Sequence, residues 1–127
     1  MTANTPQSRK AKGRTLQKEV VKAILQVFPT LTERDVQSTS SGAPGVDIKL
    51  SEKAVELLPL ALECKFTEAF SLWKAWGQAV SNSGRLNPVV VHRKARTKPV
   101  AIVDLDYLLS LHAECDKLAR MVEKANG

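Results

Sequence analysis

The chain has 127 residues, 43% of them hydrophobic, and a formal net charge of +6 at pH 7; that length and balance point to one domain with its own core. No apolar run approaches the ~18 residues that a membrane span needs, and the start MTANTPQSRKAKG lacks the apolar core of a secretory signal. The basic excess points instead to a polyanionic partner, of which nucleic acid is the commonest, while two isolated cysteines, Cys64 and Cys115, exclude a disulfide framework or zinc site and fit a reduced, cytoplasmic setting.

Residues 1–12 are polar and carry Arg9, Lys10 and Lys12, with Arg14 just beyond. They read as a flexible basic arm that lies along phosphates without reading bases, or as a solubilising tail; residues 13–127 form the single domain. TLQKEVVKAILQVF follows, with Leu16, Val20, Ile24 and Val27 at helical spacing and Val21 and Phe28 beside them. Pro29 marks the end of that helix.

DVQSTSSGAPGVDIKL reads as strand, turn, strand, with Gly42, Pro44 and Gly45 breaking it. In its second strand Val46, Ile48 and Leu50 face one way, Asp47 and Lys49 the other. SEKAVELL fits a short helix or the wide end of a hairpin. Pro59 then opens a strand, LALECKF, in which Leu60, Leu62, Cys64 and Phe66 share an apolar face. Ala61, Glu63, Lys65 and Thr67 lie on the opposite, polar face.

EAFSLWKAWGQAVSNSGR predicts a second helix with Leu72, Trp73, Trp76, Ala79 and Val80 as its apolar stripe. Lys74 and Gln78 fall on a separate polar stripe, together with Ser71 and Arg85. The tryptophans read as core or dimer contacts rather than base-stacking platforms. NPVVVHRKARTKPVAIVDL predicts a hairpin of two apolar strands whose turn presents Arg93, Lys94, Arg96 and Lys98 to phosphate or to solvent. A terminal helix follows, with Asp106 as its expected N-cap and a break expected near Cys115. His92 and His112 have no ligand-like partners nearby in sequence. The element order predicts an α/β (α+β) domain with a mixed central sheet of about five strands flanked by helices.

The chemistry sits where two of these strands would meet. If Asp47 and the Glu63–Lys65 pair share an edge, two carboxylates and an ammonium converge beside a turn rich in serine and glycine. Paired carboxylates repel unless a proton or cation lies between them, and such oxygen ligands suit Mg²⁺, with Mn²⁺ as a substitute. Either residue alone would read as a surface charge; their order, strand context and the basic chain together favour a site.

GVDIKL followed by ALECKFT resembles the core of the PD-(D/E)XK nuclease superfamily, in which an Asp on one strand precedes Glu-x-Lys on the next. Within it the chain is most similar to small stand-alone Holliday junction resolvases of archaeal and phage type. The likeness runs over about residues 10–80 and includes Gly13, Glu19, Ser38 to Ser41, Val46-Asp47, Glu63-Cys64-Lys65 and Thr67. It implies a restriction-endonuclease-like core in which Asp47, Glu63 and the Cys64 backbone carbonyl bind the metal and Lys65 activates or positions the water. It further implies that Glu19 approaches the metal from the first helix and that Gln78 is a polar helix residue near the centre. Gln17 stands where resolvases often carry an acid, which leaves Glu19 as the acidic contributor. Ser38, Ser40, Ser41, Lys74 and the basic residues named above are the expected DNA contacts. The resemblance thus implies a homodimeric, Mg²⁺-dependent endonuclease that cuts four-way junctions, in a host cytoplasm if phage-encoded. The alternatives are a nicking, repair or restriction-type nuclease, or a non-catalytic DNA-binding module on the same fold.

Overall fold

A computed structural model describes residues 5–39 and 44–127. Its first helix, α1 (Pro6–Val27), starts on a strong signal: the Thr5 hydroxyl accepts from the Ser8 N–H at 3.0 Å, and Pro6 occupies the first turn. Arg9, Lys10 and Lys12 of the expected arm therefore stand on this helix, while residues 1–4 of that arm lie outside the described residues. The helix closes when the Phe28 N–H bonds the Ile24 carbonyl, just before Pro29.

The loop beyond α1 is fastened by Asp35. Its carboxylate accepts from the Thr32 N–H at 2.9 Å and from the Ser51 hydroxyl at 2.7 Å, and these donors hold its pKa below the ordinary carboxylate value. Strand β1 (Val36–Ser38) then pairs antiparallel with β2 (Ile48–Leu50), Gln37 opposite Lys49. SEKAVELL resolves to a short helix, α2 (Glu52–Leu57), capped by Ser51.

Strand β3 (Leu60–Phe66) runs parallel to β4 (Asn87–Arg93), so a crossover must join them; α3 (Leu72–Asn82) supplies it. Strand β5 (Val100–Ile102) returns antiparallel on β4, and the order is β3-β4-β5. The described residues thus form a three-stranded mixed sheet and a separate two-stranded one, not one sheet of about five strands. The reason lies at Asp47. Its N–H bonds the Leu62 carbonyl at 3.0 Å, but the next donor along β3, the Cys64 N–H, is taken by the Asp47 side chain at 2.7 Å. A carboxylate replaces the backbone carbonyl that would have extended the ladder.

Both faces of the larger sheet are covered. Leu62, Cys64, Val89 and Val91 pack with Leu16 and Ile24 of α1 and with Val36, Ile48, Ala54 and Leu58. Val90, on the other face, packs with Ala75 and Ala79 of α3, flanked by Phe70, Trp76 and Ile102. The expected polar face of β3 is therefore a second interior, and Ala61 and Glu63 are buried. On α3 the buried positions are alanines, which permit close approach to the sheet. Leu72, Trp73 and Val80 of its expected apolar stripe are exposed, Trp73 to 79%.

Helix α4 (Leu105–Asn126) is capped by Asp104, not Asp106: the Asp104 carboxylate accepts from the Asp106 N–H at 2.8 Å. It runs without a break past Cys115 and has no buried residue. Among the described residues no helix is long and apolar enough to cross a membrane.

Candidate active site

The two carboxylates singled out in sequence meet at the outer edge of β3. Asp47 precedes β2 by one residue, and three bonds pin its backbone: N–H to Leu62 O, and the Thr39 N–H and hydroxyl to its carbonyl at 2.9 and 3.2 Å. Its side chain is fixed by the Cys64 N–H. Glu63, one residue earlier on β3, is only 2% exposed. The two carboxyl groups line one cleft, close enough that the Asp47 charge acts on Glu63.

Burial pushes the Glu63 pKa above its ordinary value, and the neighbouring Asp47 charge adds to that; a hydrogen bond from Asn82 and the Lys65 ammonium oppose it. The Asn82 amide donates to Glu63 Oε1 at 2.8 Å from the last residue of α3. Burial, with the Asp47 and Glu63 charges behind it, pushes the Cys64 thiol up to about 12. At neutral pH that sulfur is an inert part of the core.

A cleft of about 420 Å³ opens over these groups, lined by Asp47, Glu63, Cys64, Lys65 and Gln78 on one side and by Arg9, Lys10, Gly13, Arg14 and Gln17 of α1 on the other. Lys65 and Gln78 also border an adjoining hollow of about 210 Å³ that reaches Ser71 and Lys74. Larger clefts of about 740, 580 and 530 Å³ lie elsewhere, but none is lined by a pair of carboxylates. Chemistry, not size, assigns the site.

Several expected participants lie elsewhere. Glu19 is not part of this cleft: its Oε1 accepts from Arg93 Nη1 at 2.8 Å, and it borders an apolar groove with Val20, Leu60 and Lys98. The reason is helical geometry. Residues two apart point to nearly opposite sides of a helix, so α1 cannot offer both Gln17 and Glu19 to one site. Arg93 is correspondingly engaged: it also donates to the Thr97 carbonyl at 2.8 Å and lies 5.0 Å from the centre of the Phe66 ring. Lys94 and Arg96 remain exposed on the turn, whereas Lys12 leans over Phe66 at 5.9 Å. Ser38 is exposed at the end of β1 and borders a different cleft with Lys18 and Lys22. Ser40 and Ser41 lie outside the described residues. His92 is structural, stacked on Phe70 with centroids 3.9 Å apart and bonded to the Thr67 carbonyl.

Two residues enter the site without having been singled out for it. Asn82 lies seven residues after buried Ala75, on the same side of α3. Gln17 lies four and seven residues before Val21 and Ile24, at the edge of the buried stripe of α1. Those spacings were signals in the sequence, and for Gln17 so was its place where the resembled resolvases often carry an acid.

No family model, curated protein or solved structure matches the chain.

Proposed function

We propose that the chain is a metal-dependent, structure-selective DNA endonuclease of the Holliday junction resolvase type. The observation that carries this reading is the Asp47–Glu63 pair: two carboxylates lining one cleft, one of them buried, beside Lys65 and opposite three basic residues of α1. A protein that only bound DNA would gain nothing from burying a carboxylate where phosphate approaches.

The donor set fits a hard divalent cation. Asp47 and Glu63 supply anionic oxygens, and the Cys64 carbonyl is the backbone oxygen between Glu63 and Lys65. Mg²⁺ bound there would polarise the scissile phosphodiester and stabilise the leaving oxygen. The protein's own groups do the rest. The Cys64 N–H and Asn82 hold the two carboxylates in place. Lys65 orients the attacking water or offsets charge on the phosphate, and Gln78 provides a polar contact at the cleft wall. Arg9, Lys10 and Arg14 hold the backbone of the nucleic acid, and Lys74 extends that track. The reading includes a cytoplasmic setting.

The same proposal makes the chain a homodimer. Resolving a four-way junction requires two related strands to be cut, and a two-fold dimer provides two centres with matching symmetry. Helix α4 supports this: Leu108, Leu111, Cys115, Leu118 and Val122 recur at alternating steps of three and four, the spacing of a coiled-coil seam, and all are exposed.

The test is cleavage of a labelled four-way junction and its matched linear duplex, with Mg²⁺ and with chelator, alongside Asp47→Asn. Paired, symmetric nicks in the junction that need Mg²⁺ and vanish in the variant are expected. Equal cutting of both substrates favours the general nuclease, and binding with no cleavage under any cation favours the DNA-binding module.

A further inference from the structure

Gln17 is only 7% exposed, and its Oε1 is buried with no hydrogen-bond partner among the described residues. A buried amide oxygen left without a donor is destabilising, and such groups are rare in folded proteins. The carboxylates that share its cleft each have a partner: Asp47 accepts from the Cys64 N–H and Glu63 from Asn82. Gln17 is the exception, and it lines the same cleft as the two carboxylates.

Resting on the cation site proposed above, we infer that Gln17 supplies the third side-chain oxygen of that site, bonded to the cation or to its water shell. Amide oxygens are ordinary partners of hard divalent cations and of their coordinated waters. The consequence is electrostatic. The site carries two anionic side chains and one neutral one, and the role that the sequence led one to expect of Glu19 falls to a residue without charge. Ligand charge count tunes affinity for such ions. This protein therefore holds its cation more weakly than a three-carboxylate version of the same cleft would.

The experiment is Mn²⁺ binding to the full chain, read as loss of the free-ion paramagnetic resonance signal, for wild type, Glu63→Gln, Gln17→Met and Gln17→Glu. Melting temperatures are taken in chelator and in Mn²⁺. Glu63→Gln identifies the site by abolishing binding. Gln17→Met, which keeps the shape and removes the orphan oxygen, is expected to weaken Mn²⁺ binding roughly 10- to 100-fold while melting no lower than wild type in chelator. Gln17→Glu is expected to tighten binding by about tenfold or more. Unchanged affinity in both Gln17 variants, with binding still lost in Glu63→Gln, overturns the role of Gln17 and leaves the carboxylate site standing. Failure of the wild type to bind Mn²⁺ overturns both. Should Gln17→Met fail to fold, unchanged affinity in Gln17→Glu is by itself enough to reject the inference.

Discussion

The edge of β3 and helix α4 break the same rule in opposite directions. At the edge of β3 polar groups are buried: Glu63 is 2% exposed and Gln17 7%. On α4 apolar groups are bare: Leu108, Leu111, Leu118 and Val122 are each more than 40% exposed on a helix with no buried residue. A buried polar group and an exposed apolar stripe are the two departures from ordinary partition that carry information. They differ in what would satisfy them. At the β3 edge the Asp47 charge acts on Glu63 and the Gln17 amide oxygen has no donor among the described residues, so a cation would satisfy both. Helix α4 calls for apolar surface, and a second copy of its own seam is complementary to it.

The widest separation between the two regions should appear in cleavage. Asp47→Asn, Glu63→Gln and Lys65→Ala are each expected to reduce Mg²⁺-dependent cutting by about 10³-fold or more, on the scale of removing a preorganised electrostatic group. Each should leave the sedimentation of the protein unchanged. Cys64→Val should keep most activity, because the thiol stays protonated at neutral pH. A folded but inactive Cys64→Val would mean that the sulfur takes part in the chemistry.

The reverse pattern is expected of α4. Leu111→Glu with Leu118→Glu should raise the dimer dissociation constant about 10²-fold or more, given roughly 1.5 kcal/mol for each leucine re-exposed. Mn²⁺ affinity should not move. Cys115 lies on the seam between Leu111 and Leu118, so it would meet its own copy if the two helices pair parallel and in register. In that pairing mild oxidation should cross-link wild type but not Cys115→Ser. A monomer by sedimentation velocity at micromolar concentration would leave α4 without the partner proposed for it.

A smaller effect separates the basic residues of α1 from those of the β4–β5 turn. Neutralising Arg9, Lys10 and Arg14 should flatten the dependence of log K on log salt by about 0.9 for each phosphate no longer neutralised. Arg93→Ala should leave that slope alone, because its guanidinium is committed to Glu19, Thr97 and Phe66. Smaller still, Glu19→Gln should lower the melting temperature by roughly 2–5 °C, since a part-exposed ion pair contributes about 0.5–1 kcal/mol. It should leave the cation requirement untouched. A Glu19→Gln variant that lost cleavage would return that residue to the site.

The residues explain why some of this is legible in sequence and some is not. Alternation in LALECKF separates Cys64 from Glu63 correctly, because the period of a strand is fixed by its backbone. It does not show that α3 covers the charged side, because burial of a face depends on what packs there. Asp47 and the Glu63–Lys65 pair are found because strand order limits which side chains can meet. Glu19 is misplaced because likeness along α1 says nothing of the helical angle, which sets Gln17 and Glu19 on different sides. The sheet is overcounted because hydrophobic pattern does not reveal a side chain that intercepts a ladder, as Asp47 does at Cys64. Trp73 joins the expected apolar stripe of α3 by its spacing, whereas the close approach of that helix to the sheet selects alanine.

The central claim is that Asp47 and Glu63 are held together in order to bind a cation, and thermal melting in chelator and in Mn²⁺ tests it most directly. Burial raises the Glu63 pKa above its ordinary 4.5, so its contribution to stability is fully present below that pH and is lost as pH rises through the folded-state value. In chelator, wild type should therefore melt lower at pH 7 than Glu63→Gln, and the gap should close as the pH falls towards 4.5. Saturating Mn²⁺ at pH 7 should reverse the order by stabilising wild type alone. Identical shifts in the two proteins, or none in either, would contradict the account.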